Sequence, residues 1–182
     1  MTPAGYIAKK IHTSTGWLNN AAVEDIWSVS NCLSSAFCDY IPHWQHNGYW
    51  LFDSADTIRQ LADKEGLDLS GARLFYLEVH EQQFDADRRA WVAFGPEATL
   101  QTNVRVPAAK HLEGFDLVSF SAQTAPECSP LSCNALASHI SVNKHCLLET
   151  MQESRELLES GGIEDCEPGP YRIFAVYTVP GL

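Results

Sequence analysis

The sequence is short of positive charge. Its 182 residues carry 12 Lys and Arg against 23 Asp and Glu, giving a formal net charge of -11 and a pI near 4.9. Nucleic acid and anionic membrane surfaces are polyanions and repel such a chain, so neither is an expected partner. Long apolar runs are missing too, and nothing approaches the roughly 20 apolar residues of a membrane-spanning helix. The opening residues 1–10 have no basic segment followed by an apolar one, so no signal peptide is expected and the protein reads as cytoplasmic. In that setting the six cysteines are thiols or metal ligands rather than disulfides. There is no GxGxxG, no P-loop, no His-Glu-x-x-His and no Gly-x-Ser-x-Gly.

What remains is globular. Apolar residues make up 45% and charged residues 19% of the chain, which is long enough to bury a sizeable core. The strongest organisational signal is an internal echo. Aligned without gaps, Asn47 meets Asn143, Ser54 meets Thr150, Arg59 meets Arg155, Leu61 meets Leu157 and Gly66 meets Gly162. A short insertion around Glu167, Pro168 and Gly169 then lets Arg73 meet Arg172 and Phe75 meet Phe174. We extend the echo upstream by matching residues 25–30 with 116–121, giving repeats at 24–80 and 115–179 joined by 81–114. With no flexible linker in sight, residues 1–182 read as one domain made of two halves of about 80 residues each.

Local signals place the elements. Residues 5–12 read as a short edge strand whose Lys9 and Lys10 suit an exposed rim. Residues 24–30 alternate as a strand, with Ile26, Ser28 and Ser30 on one face. Residues 49–52 form an apolar run expected of a buried strand. Ser54 is a good N-cap, Ile58, Leu61 and Ala62 form an apolar stripe, and Gly66 ends the helix. Residues 72–79 follow as a strand, and residues 90–94 as another. Thr150 with Glu153 is a capping box, and Met151, Leu157 and Leu158 supply the second stripe. Gly161 and Gly162 close that helix, and residues 171–179 form the last strand. A strand–helix–strand order implies right-handed crossovers with parallel strands. The fold class is therefore α+β: two pseudo-symmetric β-loop-β-α-β halves forming a mixed sheet with helices packed on it.

Three groups of side chains have the chemistry for a site. Tyr40, His43, Trp44, His46 and Tyr49 gather aromatic rings with polar tips in one loop, a composition enriched at contact surfaces. The alternative makes Tyr49 and Trp50 core residues, capped by Trp44. Cys128, Cys133, His139 and His145 offer a zinc set, although the Cys-x4-Cys spacing is looser than the tight pairs zinc sites favour. The same region suits a thiol nucleophile, with His139 or His145 as base and Asn134 or Asn143 orienting it, and prolines at 126 and 130 fixing the backbone. The bland alternative, which the loose spacing favours, makes Cys32, Cys128 and Cys146 small buried hydrophobes.

The expectation from composition is an acidic binding protein without catalytic activity, recognising a protein partner, one of basic character by charge complementarity. An inhibitor or immunity-type protein fits that physics. No cofactor is expected in this reading. The competing expectation is a zinc- or thiol-dependent protein using residues 128–146, as a structural metal site or a Cys/His hydrolase-like site.

Overall fold

A computed structural model describes residues 1–13, 15–30, 47–94, 103–120 and 127–180. Six strands and two helices occupy them: β1 (Thr2–Lys10), α1 (Ala55–Glu65), β2 (Ala72–Val79), β3 (Gln82–Asp85), β4 (Ala90–Ala93), β5 (His111–Ser119), α2 (Met151–Glu159) and β6 (Tyr171–Thr178). The α+β class read from the sequence is the class observed. No helix among these residues is long and apolar enough to cross a membrane.

The helices form where their caps lie. Ser54 accepts from the Thr57 N–H, and Gly66 ends α1 in the left-handed conformation at φ 67°. Thr150 and Glu153 make a reciprocal capping box on α2. Both satisfy backbone groups that a helix end leaves open.

The most buried strand is β6. On one side it pairs with β5 along its whole length, from His111 opposite Thr178 to Ser119 opposite Tyr171. On the other side it pairs first with β2, from Phe75 opposite Thr178 to Val79 opposite Phe174. The line continues through His80, whose N–H bonds the Ile173 carbonyl, to Phe84 of β3 opposite Tyr171. β1 flanks β2, and β4 forms a hairpin with β3. All these pairings are antiparallel, which corrects the expected parallel crossovers.

The physical reason lies just before each helix. Residues 49–52 are not a strand; only Phe52 bridges, to Tyr6. The Asn47 side-chain oxygen takes the N–H groups of both Tyr49 and Leu51, and Trp50 turns to φ 60°. A backbone folded around one side chain has no ladder to offer a neighbouring strand. Residues 24–30 also differ from the reading. Ile26 bridges His12, Trp27 N–H bonds the His145 carbonyl, and Val29 N–H goes to the Asp116 carboxylate. Their donors serve loops and a carboxylate, so they form a covering segment.

Strand alternation sorts the two faces. One face of β6 presents Tyr171, Ile173 and Ala175, which pack with Phe115, Leu117 and Leu158 of α2. Nearby, Ile58 of α1, with Leu61 beside it, packs on Tyr6, Ala8, Leu74 and Tyr76. The opposite face presents Ile7, Phe75, Leu77, Val118, Phe174 and Val176, covered by Trp27, Val29, Leu51 and Leu147. Side chains such as Phe75 and Phe174 are fully enclosed, each contributing about 1.5–3 kcal/mol of apolar burial. Cys128 and Cys146 are buried among the apolar side chains.

Lys10 is exposed and faces Asp68 at 3.8 Å, as a rim lysine should. Lys9 is not: it is 5% exposed and points through the covered face, donating to the Ser28 carbonyl and, at 2.9 Å, to the Ser30 carbonyl. The segment over residues 23–30 is what buries it.

Candidate functional site

The covered face holds a chain of polar groups. It begins at Asp116 in β5, fully buried. Oδ1 accepts from the Ser129 hydroxyl at 2.6 Å, and Oδ2 from the Val29 N–H at 2.7 Å and the Ser28 hydroxyl at 2.9 Å. Burial pushes this carboxyl up to about 6; the three donors and the Lys9 charge pull the other way. Ser28 and Ser30 hydroxyls meet at 2.8 Å, and the Ser30 hydroxyl stands 3.7 Å from the Cys133 sulfur.

Cys133 is the half-exposed end of this chain. The Cys128 thiol hydrogen-bonds its sulfur, and this is the largest of the influences that hold the Cys133 thiol well below the ordinary cysteine range. The Ser129 N–H and the Ser30 and Ser132 hydroxyls add to it, against the opposing effect of burial. Hydrogen bonds donated to a thiolate favour the charged form. Cys128 itself is buried, with its sulfur 3.9 Å from Asn134 Oδ1.

The local fold follows from residues 127–137. Glu127 and Cys128 lie alongside the end of β5: Ser119 N–H bonds the Cys128 carbonyl at 2.8 Å, and Glu127 N–H bonds the Ser119 carbonyl at 3.0 Å. Pro130 lacks a backbone donor and suits the turn that follows. Cys133 N–H returns to the Ser129 carbonyl at 2.8 Å, and Leu136 N–H to the Pro130 carbonyl at 3.1 Å. Trp17 Nε1 clamps the loop from outside through the Ser132 carbonyl at 2.9 Å. The two cysteines therefore meet because a tight turn closes between them.

The histidines stand elsewhere. His139 is exposed at the end of a short 3₁₀ turn, Leu136–Ser138. His145 is buried, its Nδ1 2.5 Å from Asp25 Oδ1 and its ring stacked on Trp27 at 3.4 Å. Neither bonds a cysteine sulfur among the described residues. Among those residues no group of three or more His, Cys, Asp or Glu is placed to hold a metal ion. Of the expected zinc set, the structure brings Cys128 and Cys133 together and leaves His139 and His145 outside that contact. Asn143 orients no histidine ring; it organises backbone, accepting from the His145 and Leu147 N–H groups.

Of the expected aromatic loop, Tyr40, His43, Trp44 and His46 lie outside the described residues. Tyr49 is half-buried, its ring edge-on to Phe94 at 6.2 Å, and burial raises its hydroxyl above the ordinary range.

The two remaining described cysteines are unlike Cys133. Burial pushes Cys146 up to about 12, with Asp116 and Cys133 adding to the effect. Cys166 lines a cavity of about 380 Å³ with Tyr171, Arg89 and Glu164, and burial raises its thiol as well.

The serines that serve Cys133 were not singled out from the sequence. The one available signal was their density, Ser28 and Ser30 in one stretch and Ser129 and Ser132 in the other. Lys9 and Asp116 gave no signal, because each reads as an ordinary strand residue. Against known proteins, no family model, no curated protein and no solved structure matches the chain.

Proposed function

We propose that the chain is a thiol–disulfide exchange protein in which Cys133 attacks and Cys128 resolves. One arrangement carries the reading: a buried thiol, Cys128, beside a half-exposed one, Cys133, whose sulfur also stands 3.7 Å from the Ser30 hydroxyl and 3.9 Å from that of Ser132. The nucleophile is the thiolate, and a thiolate needs donors around it. An exposed attacking sulfur with a protected second sulfur in contact is the arrangement that two-step exchange needs.

The step balances as follows. The Cys133 thiolate attacks one sulfur of an external disulfide and breaks its S–S bond. A mixed disulfide forms, and the departing thiolate takes a proton from water. Cys128 then gives its proton to the second leaving thiolate and attacks the Cys133 sulfur. The external disulfide ends as two thiols, and the protein as a Cys128–Cys133 disulfide.

The expected alternative is an acidic, non-catalytic binding protein. Its support is the charge of -11 and a loop of which Tyr49 alone is described. A His-assisted hydrolase reading has less support, since His145 Nδ1 is taken up by Asp25.

Oxidised glutathione is the probe. Treated with it, the Cys128→Ser variant should accumulate a mixed disulfide at Cys133, and the unaltered chain should form the 128–133 disulfide, both read by peptide mass mapping. Modification spread evenly over the cysteines, or sparing Cys133, would defeat the proposal.

A further inference from the structure

Arg172 is the one buried arginine among the described residues. The other described arginines with ionic partners sit at the surface beside carboxylates: Arg59 and Arg105 on Asp56, Arg88 on Asp85, Arg89 on Glu164, Arg155 on Glu159. Arg172 is 6% exposed, in a chain with nearly twice as many acids as bases. Its guanidinium lies between two rings, 4.1 Å from the Phe94 centroid and 3.9 Å from that of Phe120. Nε donates to Gln83 Oε1 at 3.2 Å. Burial lowers it to about 10, and the one electrical neighbour opposing this is Tyr49, with no carboxylate contributing. Among the described residues only the Trp27 indole nitrogen is enclosed without a partner. Among the described residues the terminal nitrogens of Arg172 have no hydrogen-bond partner, and they are not among the atoms enclosed without one.

We propose that Arg172 is the anchor of a carboxylate-binding site, bounded by Phe94, Phe120, Gln83 and Tyr49. The Gln83 bond and the two rings fix the fork in one plane, which is the preorganisation that bidentate carboxylate recognition uses. The flanking rings suit a ligand whose carboxylate is attached to an apolar or aromatic body. A dianionic phosphate fits less well. The site has one positive charge, and Asp116 stands on the same sheet face, opposite Phe174 and so diagonal to Arg172. The site uses none of the cysteines, so it stands or falls apart from the exchange reading.

The test is ¹⁵N-edited NMR of the Arg172 Nε–Hε signal in the full chain, titrated with benzoate, then with inorganic phosphate at matched ionic strength. A saturable shift with benzoate is expected, followed by the backbone amides of Gln83 and Phe120; in Arg172→Lys, which has no Nε–Hε, those amides should need at least tenfold more benzoate, and phosphate should give no saturation. Should Arg172→Lys fail to fold, contacts from benzoate protons to the Phe94 and Phe120 rings in the unaltered protein decide the matter. No saturation, or equal response to both anions, overturns the site. So does a ligand-free Nε–Hε signal that moves on Glu97→Gln or Asp39→Asn, because the chain's own carboxylate would then hold the arginine.

Discussion

Asn143 makes the bonds that Asn47 makes. Each side-chain N–H₂ donates to a β-strand carbonyl at 2.7 Å, Glu113 for Asn143 and Ala4 for Asn47. Each side-chain oxygen accepts two N–H groups, from His145 and Leu147 in one case and Tyr49 and Leu51 in the other. The receiving carbonyl precedes a glycine in both strands, Gly114 at φ 148° and Gly5 at φ 137°. A Cβ on Gly5 would stand 2.7 Å from the Phe52 carbonyl oxygen; on Gly114, 2.7 Å from that of Leu148.

Replacing either asparagine should therefore be costly. Asn143→Ala leaves two N–H groups and one carbonyl in a buried turn without their partner, worth roughly 2–4 kcal/mol. Gly114→Ala adds both strain and a clash with backbone, and should cost at least about 1–3 kcal/mol. Thermal unfolding of the two variants checks this; a loss below about 0.5 kcal/mol in both would refute the turn's role.

Asp116 predicts a pH signature. Its carboxyl is raised in the folded state to about 6 against an ordinary 3.8. Between those values the folded protein keeps a proton that the unfolded chain has released, so the group's contribution falls as pH rises from about 4 to about 6, then levels off. The amplitude is on the order of 3 kcal/mol. Asp116→Asn cannot titrate, so the stability difference between the two proteins should shift by that order across the window, favouring the unaltered protein at the acid end. A difference flat with pH would show that the carboxyl is not raised.

Lys9 is held by two backbone carbonyls beside a buried carboxylate. Lys9→Met keeps the apolar stem and strips the donor, leaving Ser28 and Ser30 carbonyls short of a partner and Asp116 without its nearby cation. A loss of about 2–4 kcal/mol is expected, larger at pH 8 than at pH 5, where Asp116 is protonated in part. Denaturant unfolding at the two pH values would expose the reverse order if Lys9 does not serve Asp116.

Cys133 should alkylate before the other described cysteines. At pH 6.5 iodoacetamide should label it at least tenfold faster than Cys146 or Cys166, whose thiols are raised. Cys128→Ala should slow the labelling, because it removes the donor that contributes most. Time-resolved peptide mapping reads both; equal rates across the three sites would remove Cys133 as a distinct nucleophile.

Much of the outline was legible in residue order because its causes are local. Ser54, Thr150, Glu153 and Gly66 act within one helical turn, so the ends of α1 and α2 follow from near neighbours. The runs rich in aromatic and aliphatic residues at 72–79 and 171–179 mark strands buried on both faces for the same reason. The match of Asn47 with Asn143 picked out two turns that bond alike, though residues 25–30 turned out to be a covering segment. Strand direction was not legible, since a helix between two apolar runs reads the same whether or not the first run finds a ladder.

The sequence by itself determined the acidic charge, the α+β class and the capped helices, all properties of composition or of residues a turn apart. Tertiary structure alone decided that Ser30 would reach Cys133 across 103 residues, that Lys9 would be buried, and that Arg172 would lie between Phe94 and Phe120. Those contacts join segments far apart in the chain, and their energies depend on burial, which only the packed sheet supplies.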